Sequence, residues 1–150
     1  TIGGIMLRKD IMVRLLYLSK KLKDDYELEI LKCAKECNIT KSEADILLFF
    51  GSNKDFNKAC DAVNYRGFSK SYVSKAIDRL IKKDFINIEV DQSDRRYQRI
   101  IINDKANNIL TKLQDIQRQT FELLSKNITK EEFQNFFNVI EKFIKNIEER

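Results

Sequence analysis

No proline interrupts the 150 residues, and only four of them are glycine. A chain so poor in the two residues that break regular backbone favours long helices over a turn-rich β architecture. From about Asp10 to Cys37 the spacing predicts one long helix, with Ile11, Leu15, Leu18 and Leu22 at three- or four-residue steps and Ile30, Ala34 and Cys37 continuing them. The charged run Lys23-Asp24-Asp25 is a place for a kink. Thr40-Lys-Ser-Glu43 then forms a capping box, with Ile39 and Ala44 at the staple positions. The helix it opens carries Ala44, Ile46, Leu47, Leu48, Phe49 and Phe50, apolar on nearly every side, so it is expected at the buried centre of the fold and to end near Gly51.

A short helix, Phe56 to Val63, is predicted next, followed by the turn Asn64-Tyr-Arg-Gly67 and a second helix from about Ser69 to Lys83. In this second helix Val73, Ala76, Ile77, Leu80 and Ile81 make an apolar stripe at i, i+3, i+4, i+7 and i+8. Lys70, Ser71, Ser74, Lys75, Asp78, Arg79 and Lys82 occupy the other face. Ile86, Ile88 and Val90 alternate with polar residues, as do Gln98, Ile100 and Ile102 beyond Asp91-Gln-Ser-Asp-Arg95, which predicts a two-stranded hairpin with a charged tip. Asn103 can cap a further helix bearing Ile109, Leu113, Ile116, Thr120 and Leu124. A second capping box, Thr129-Lys-Glu-Glu132 with Ile128 and Phe133 as its staple, opens the last helix. That helix carries the seam Phe133, Phe136, Phe137, Ile140, Phe143, Ile144 and Ile147, which something must cover.

The length suits one ordinary domain, 1–150. A net charge of +5 and a pI near 9.0 suit a polyanionic partner. The surplus is local. Between Asn64 and Arg99, nine basic residues (Arg66, Lys70, Lys75, Arg79, Lys82, Lys83, Arg95, Arg96, Arg99) face five acidic ones (Asp78, Asp84, Glu89, Asp91, Asp94). No apolar run reaches the roughly 20 residues of a membrane span, and residues 1–30 lack the layout of a secretory signal, so a cytoplasmic protein is expected. Three cysteines, without a paired framework, fit reduced thiols there. Thr1–Ile5 are given no role.

An α-helix fits the major groove of B-DNA, its first residues reaching base edges while cations hold phosphates. The helix from Ser69 has that chemistry: hydroxyls (Ser69, Ser71, Ser74), a tyrosine (Tyr72), long cations (Lys70, Lys75, Arg79) and one acid, Asp78. A hairpin following such a helix, with Arg95 and Arg96 at its tip, can insert a guanidinium into the narrow minor groove. Asp94 can hold one of those arginines extended until DNA displaces it. Taken alone, each feature is also what an amphipathic surface helix or a charged turn shows.

The order of parts and three stretches together resemble the MarR family of bacterial winged-helix regulators. The stretches are Asn38-Ile-Thr-Lys-Ser-Glu-Ala-Asp-Ile-Leu47, Ser71-Tyr-Val-Ser-Lys-Ala-Ile-Asp-Arg-Leu-Ile-Lys-Lys-Asp-Phe-Ile86, and Asp94-Arg-Arg96 with Ile100-Ile-Ile-Asn-Asp-Lys-Ala106. The resemblance implies a mainly α fold with a small β-hairpin wing: a winged helix-turn-helix over 39–104, with helical dimerisation segments at 6–38 and 105–150. It implies that Arg96 is the minor-groove arginine, that Ser71, Ser74 and Lys75 face the major groove, and that Asp94 orients the wing. It also implies a repressor, and an effector pocket between dimer helices and winged domain, for which Tyr17, Tyr26, Phe49 and Phe50 are candidates. Three positions depart from the pattern: Asp84 stands where Gly is usual, Ile88 where the first strand often has Arg, and Asn103 where Thr often caps the next helix.

Other classes fit less well. The chain has no histidine, which removes Cys-His and Ser-His nucleophile pairs and the most frequent general base, and it has no phosphate-cradling glycine loop. No enzyme, cofactor or metal site is therefore expected. Cys33 and Cys37, at i and i+4, read as small buried hydrophobes or as a thiol switch, the latter needing an accessible, low-pKa thiolate. The expected protein is a homodimer that binds an inverted-repeat operator in duplex DNA, with two recognition helices roughly 34 Å apart, and that is released by a small ligand or by thiol oxidation. A winged helix used for protein binding is the alternative.

Overall fold

In the computed structural model, which describes residues 10–150, the first helix is one unbroken α1, Ile11–Glu36, between Asp10 and Cys37 as caps. The helix runs through residues 23–25 without interruption, because Asp24 and Asp25 are tied back to Lys20 and Lys21 one turn earlier. Thr1–Ile5, and residues 6–9 of the expected first dimerisation segment, lie outside the described residues. The remaining elements are α2 (Lys41–Ser52), α3 (Ala59–Arg66), α4 (Lys70–Lys82), β1 (Ile86–Val90), β2 (Gln98–Ile102), a 3-10 turn (Asp104–Ala106), α5 (Asn107–Leu124) and α6 (Lys130–Glu148). They form two compact units, one ending at Gln117 and the other Arg118–Arg150, with the boundary inside α5.

Local chemistry sets the helix starts. At Thr40 the backbone N–H donates to Glu43 Oε2 at 2.6 Å while the Glu43 N–H donates to the Thr40 hydroxyl at 3.2 Å. Thr129 and Glu132 repeat the arrangement at α6. Each box satisfies two backbone groups that the first turn otherwise leaves orphaned, a stabilisation of about 1 kcal/mol.

The core of the first unit forms around α2, whose residues Ala44 and Ile46–Phe50 are all buried, as their all-round apolar pattern requires. The second half of α1, α4 and β2 pack against it, and Ile30, Leu80, Ile86, Ile100, Leu110 and Leu113 complete the cluster. Burying each such side chain contributes roughly 1.5–3 kcal/mol. Gly51 admits α5: a Cβ there would collide with the Leu110 side chain, and Gln114 donates to the Gly51 carbonyl at 3.3 Å.

The helix-turn-helix is shifted from its sequence boundaries. The Asn57 carbonyl accepts from Ile100 N–H at 2.7 Å and Lys58 bridges Arg99, so Asn57 and Lys58 pair briefly with β2 and α3 begins only at Ala59. The helix then runs through Asn64-Tyr-Arg, read above as the turn, and stops where Gly67 takes φ +68°. β1 and β2 pair antiparallel with Ile88 opposite Ile100. Of the alternating residues, Ile86 at the base and Ile100 midway along the ladder are buried, whereas Val90 is exposed toward the tip.

Candidate nucleic-acid interface

Ser69 starts α4 by accepting the Tyr72 N–H on its hydroxyl at 3.1 Å. Val73, Ala76, Ile77 and Leu80 then turn inward, which leaves Ser71, Ser74, Lys75, Asp78, Arg79 and Lys82 exposed. Ile81, placed in the apolar stripe by its spacing, is a correction: it is 39% exposed, because the neighbours that cover Ile77 and Leu80 do not extend to it. Tyr72 is the second correction. The sequence counts it with the groove-facing chemistry of the helix, but its hydroxyl donates to Asp45 Oδ2 of α2 at 2.7 Å and its ring lies 5.0 Å from that of Phe68. The hydroxyl of Ser69 is likewise engaged, as a cap.

The hairpin tip spans Asp91–Tyr97 and is closed by Asp91 N–H to the Tyr97 carbonyl at 2.9 Å. Inside it the Asp91 carboxylate, 3% exposed, accepts from Ser93 N–H, the Ser93 hydroxyl and Asp94 N–H, and pairs with Arg99 Nε at 3.0 Å. These donors hold its pKa far below the usual carboxylate range. Asp94 grips Arg96 with both oxygens, at 3.0 Å to Nε and 2.8 Å to the terminal nitrogen, and the Arg96 side chain remains 85% exposed. The Arg96 hydrogen bonds likewise lower the Asp94 pKa. Arg95 is exposed beside it. A cleft of about 550 Å³ joins the two parts: Lys70, Ser74 and Asp78 of α4 form one wall, and Ile88, Gln98 and Ile100 of the hairpin form another. An open hydroxyl- and cation-bearing helical face thus stands beside a ribbon whose tip presents arginine.

No family model matches the chain, and no curated protein is detectably similar to it in sequence. Solved structures are. A MarR family transcriptional regulator from Silicibacter pomeroyi superposes with a TM-score of 0.74 at 18% identity over 89% of each chain. A MarR protein from Peptoclostridium difficile matches with a TM-score of 0.65 at 24% identity, over 98% of this chain and 95% of that one. A Listeria monocytogenes protein assigned to the same family, solved with a 26-mer DNA, matches with a TM-score of 0.70 at 18% identity, over 93% and 90%. The chain has the MarR winged-helix fold.

Within the MarR fold the three departures acquire physical accounts. Asp84 has φ +59°, so the position requires left-handed backbone, which is why Gly is usual there. Asn103, expected to cap the next helix, makes no side-chain cap there. Its amide donates instead to the Asp84 carbonyl and carboxylate, both at 3.1 Å, and steadies that left-handed residue. Ile88 presents an apolar surface to the cleft where a strand arginine would stand.

A second cleft of the MarR fold, about 640 Å³, lies among α1, α2 and the α3–α4 turn, lined by Leu18, Leu22, Tyr26, Asp45, Arg66 and Phe68. Of the four aromatic candidates, Tyr26 lines this cleft. Tyr17, Phe49 and Phe50 do not line this cleft: Tyr17 is exposed on α1, and the two phenylalanines belong to the core. Burial, then the adjacent Cys37, pushes the Cys33 thiol up to about 11, the opposite of what a thiol switch needs. Among the described residues no group of three or more His, Cys, Asp or Glu is arranged for a metal ion, and no helix is long and apolar enough to cross a membrane.

In the second unit no side chain of α6 is buried. Phe136, Phe137, Phe143, Ile144 and Ile147 are exposed, and Phe133 and Ile140 are half-buried. Phe133 is held between Phe121 and Phe137, with ring centroids at 5.3 and 5.8 Å. Met12, Leu15, Leu16 and Leu18 of α1 are also exposed.

Proposed function

We propose that this chain is a transcriptional regulator that binds duplex DNA, acting as a homodimer on an inverted-repeat operator, with repression as its mode. The observation that carries this is the pairing of the open α4 face (Ser71, Ser74, Lys75, Arg79) with the 85% exposed Arg96 at the hairpin tip. On this reading Ser71, Ser74 and Lys75 enter the major groove, and Arg96 leaves Asp94 for the narrow minor groove. Lys70 and Arg95 add phosphate contacts at the flanks. The Listeria protein of like fold was solved with a 26-mer DNA, which supports DNA as the partner. The uncovered apolar side chains of α6, from Phe133 to Ile147, and those of α1 are what a second copy would bury. Of the two expected triggers, a small ligand in the Tyr26–Asp45–Arg66 cleft is favoured over oxidation, since Cys33 is held as a thiol.

Footprinting the protein on the DNA upstream of its own gene tests this. The unsubstituted dimer should protect a palindromic site. Arg96→Ala should weaken binding at least about tenfold. Lys75→Ala should cost about 1–3 kcal/mol of operator binding and relax the preference for the base it meets, as expected of a major-groove contact. Unaltered protection by both variants, as folded dimers, would remove this reading and favour a winged helix that binds protein.

A further inference from the structure

The outer residues of α4 can read DNA only if the start of the helix holds a fixed direction, and that start has little to hold it. The buried stripe begins at Val73, so Lys70 and Ser71 in the first turn have no apolar anchor of their own. Helix ends fray when nothing pins them. Two contacts do so here: the Ser69 cap, which is local to α4, and the Tyr72 hydroxyl, which reaches 27 residues back along the chain to Asp45.

Asp45 lies on α2 with its side chain 4% exposed, between Lys41 Nζ at 2.7 Å and the Tyr72 hydroxyl at 2.7 Å. Burying a carboxylate to hold a hydroxyl is a poor way to gain stability, because an apolar pair of similar volume does as well or better. What it supplies is direction. Arg66 lies 5.1 Å over Phe68, and the Phe68 ring lies 5.0 Å from that of Tyr72, so the turn before α4 is keyed to the same side chain. Burial, reinforced by Asp45, raises the Tyr72 pKa well above that of an ordinary phenol, so the donor is present throughout the neutral range.

Resting on the DNA-binding reading, we propose that Tyr72 is a positioning residue: by donating to Asp45 it pins the first turn of α4 to α2 and sets the angle at which Ser71, Ser74 and Lys75 meet the duplex. Tyr72 then contributes to operator recognition without touching DNA, and Asp45, on another helix, contributes through it.

A double-mutant cycle on the full chain tests this, using Tyr72→Phe, Asp45→Leu and the double variant. Affinity is measured on the footprinted upstream duplex and on an unrelated duplex of equal length, with thermal unfolding and amide exchange of the free protein alongside. Each single substitution should weaken operator binding about five- to tenfold, the factor expected for one lost hydrogen bond. The double should lose no more than the worse single. The unrelated duplex and the salt slope should be unaffected, since no cation is removed. Without DNA, Tyr72→Phe should speed exchange at Val73, Ser74 and Lys75. Asp45→Asn, which keeps an acceptor, should lose less than Asp45→Leu, and Asp45→Ala takes the place of the latter in the cycle if it unfolds. Additive losses, equal losses on both duplexes, or undiminished operator binding by Tyr72→Phe would overturn the proposal. Failure of the unsubstituted chain to bind any duplex overturns the DNA-binding reading and this role with it, and the exchange arm still reports separately whether the pin exists.

Discussion

Asp91 accepts from Ser93 and Asp94, pairs with Arg99, and is almost wholly enclosed, so the turn that carries Arg96 is built around it. Asp91→Ala should speed amide exchange at Ser93 and Asp94 and weaken duplex binding less than Arg96→Ala does, with helical content by circular dichroism unchanged. Exchange as slow as in the unsubstituted chain would show that Asp94 and Arg96 hold the tip alone. In the sequence Asp91 was one more acid in a charged turn, because its partner Arg99 becomes adjacent only once the strands pair. The pairing of Asp94 with Arg96 was legible from their motif. Tyr72 and Asp45 were not legible as a pair: periodicity assigns a face, but it does not see a hydroxyl reaching across to another helix.

Elements whose ends are written in local chemistry were legible to within a residue or two: both capping boxes, α1, and the strands, which pair as their alternation predicts. Helix α3 was misplaced because its start is decided by β2, which borrows Asn57 and Lys58, and its end by one left-handed residue. That residue separates torsion from space. A Cβ at Gly67 would meet nothing within 4 Å, so replacing it costs only the backbone strain of φ +68°. Gly67→Ala should therefore destabilise the protein by roughly 1–2 kcal/mol, measured by urea unfolding, and Gly67→Asn by clearly less. Equal losses would mean that the turn does not depend on left-handed backbone.

Across the whole molecule the groups with shifted pKa values lie on either side of neutrality, and the chain has no histidine to titrate between them. Asp91 and Asp94 are depressed by their hydrogen bonds. Glu43 is depressed as well, burial being outweighed by Thr40 and Lys83. Depressed carboxylates contribute stability that is present above about pH 4 and lost as the pH falls further. Cys33 acts with the opposite sign: its contribution is present below 9.0 and fades as the pH rises toward about 11. The melting temperature should accordingly be flat from about pH 5 to about pH 8.5 and fall on both sides. A step near pH 6.5 in a calorimetric series would contradict this. The three thiols differ just as plainly in access: Cys33 is enclosed, Cys37 is half-covered at the end of α1, and Cys60 is open on the cleft shared by α4 and the hairpin. A bulky maleimide dye therefore finds its attachment point next to Lys70 and Ser74 in the unmodified protein, and occupancy of that face can be followed by fluorescence without engineering a cysteine.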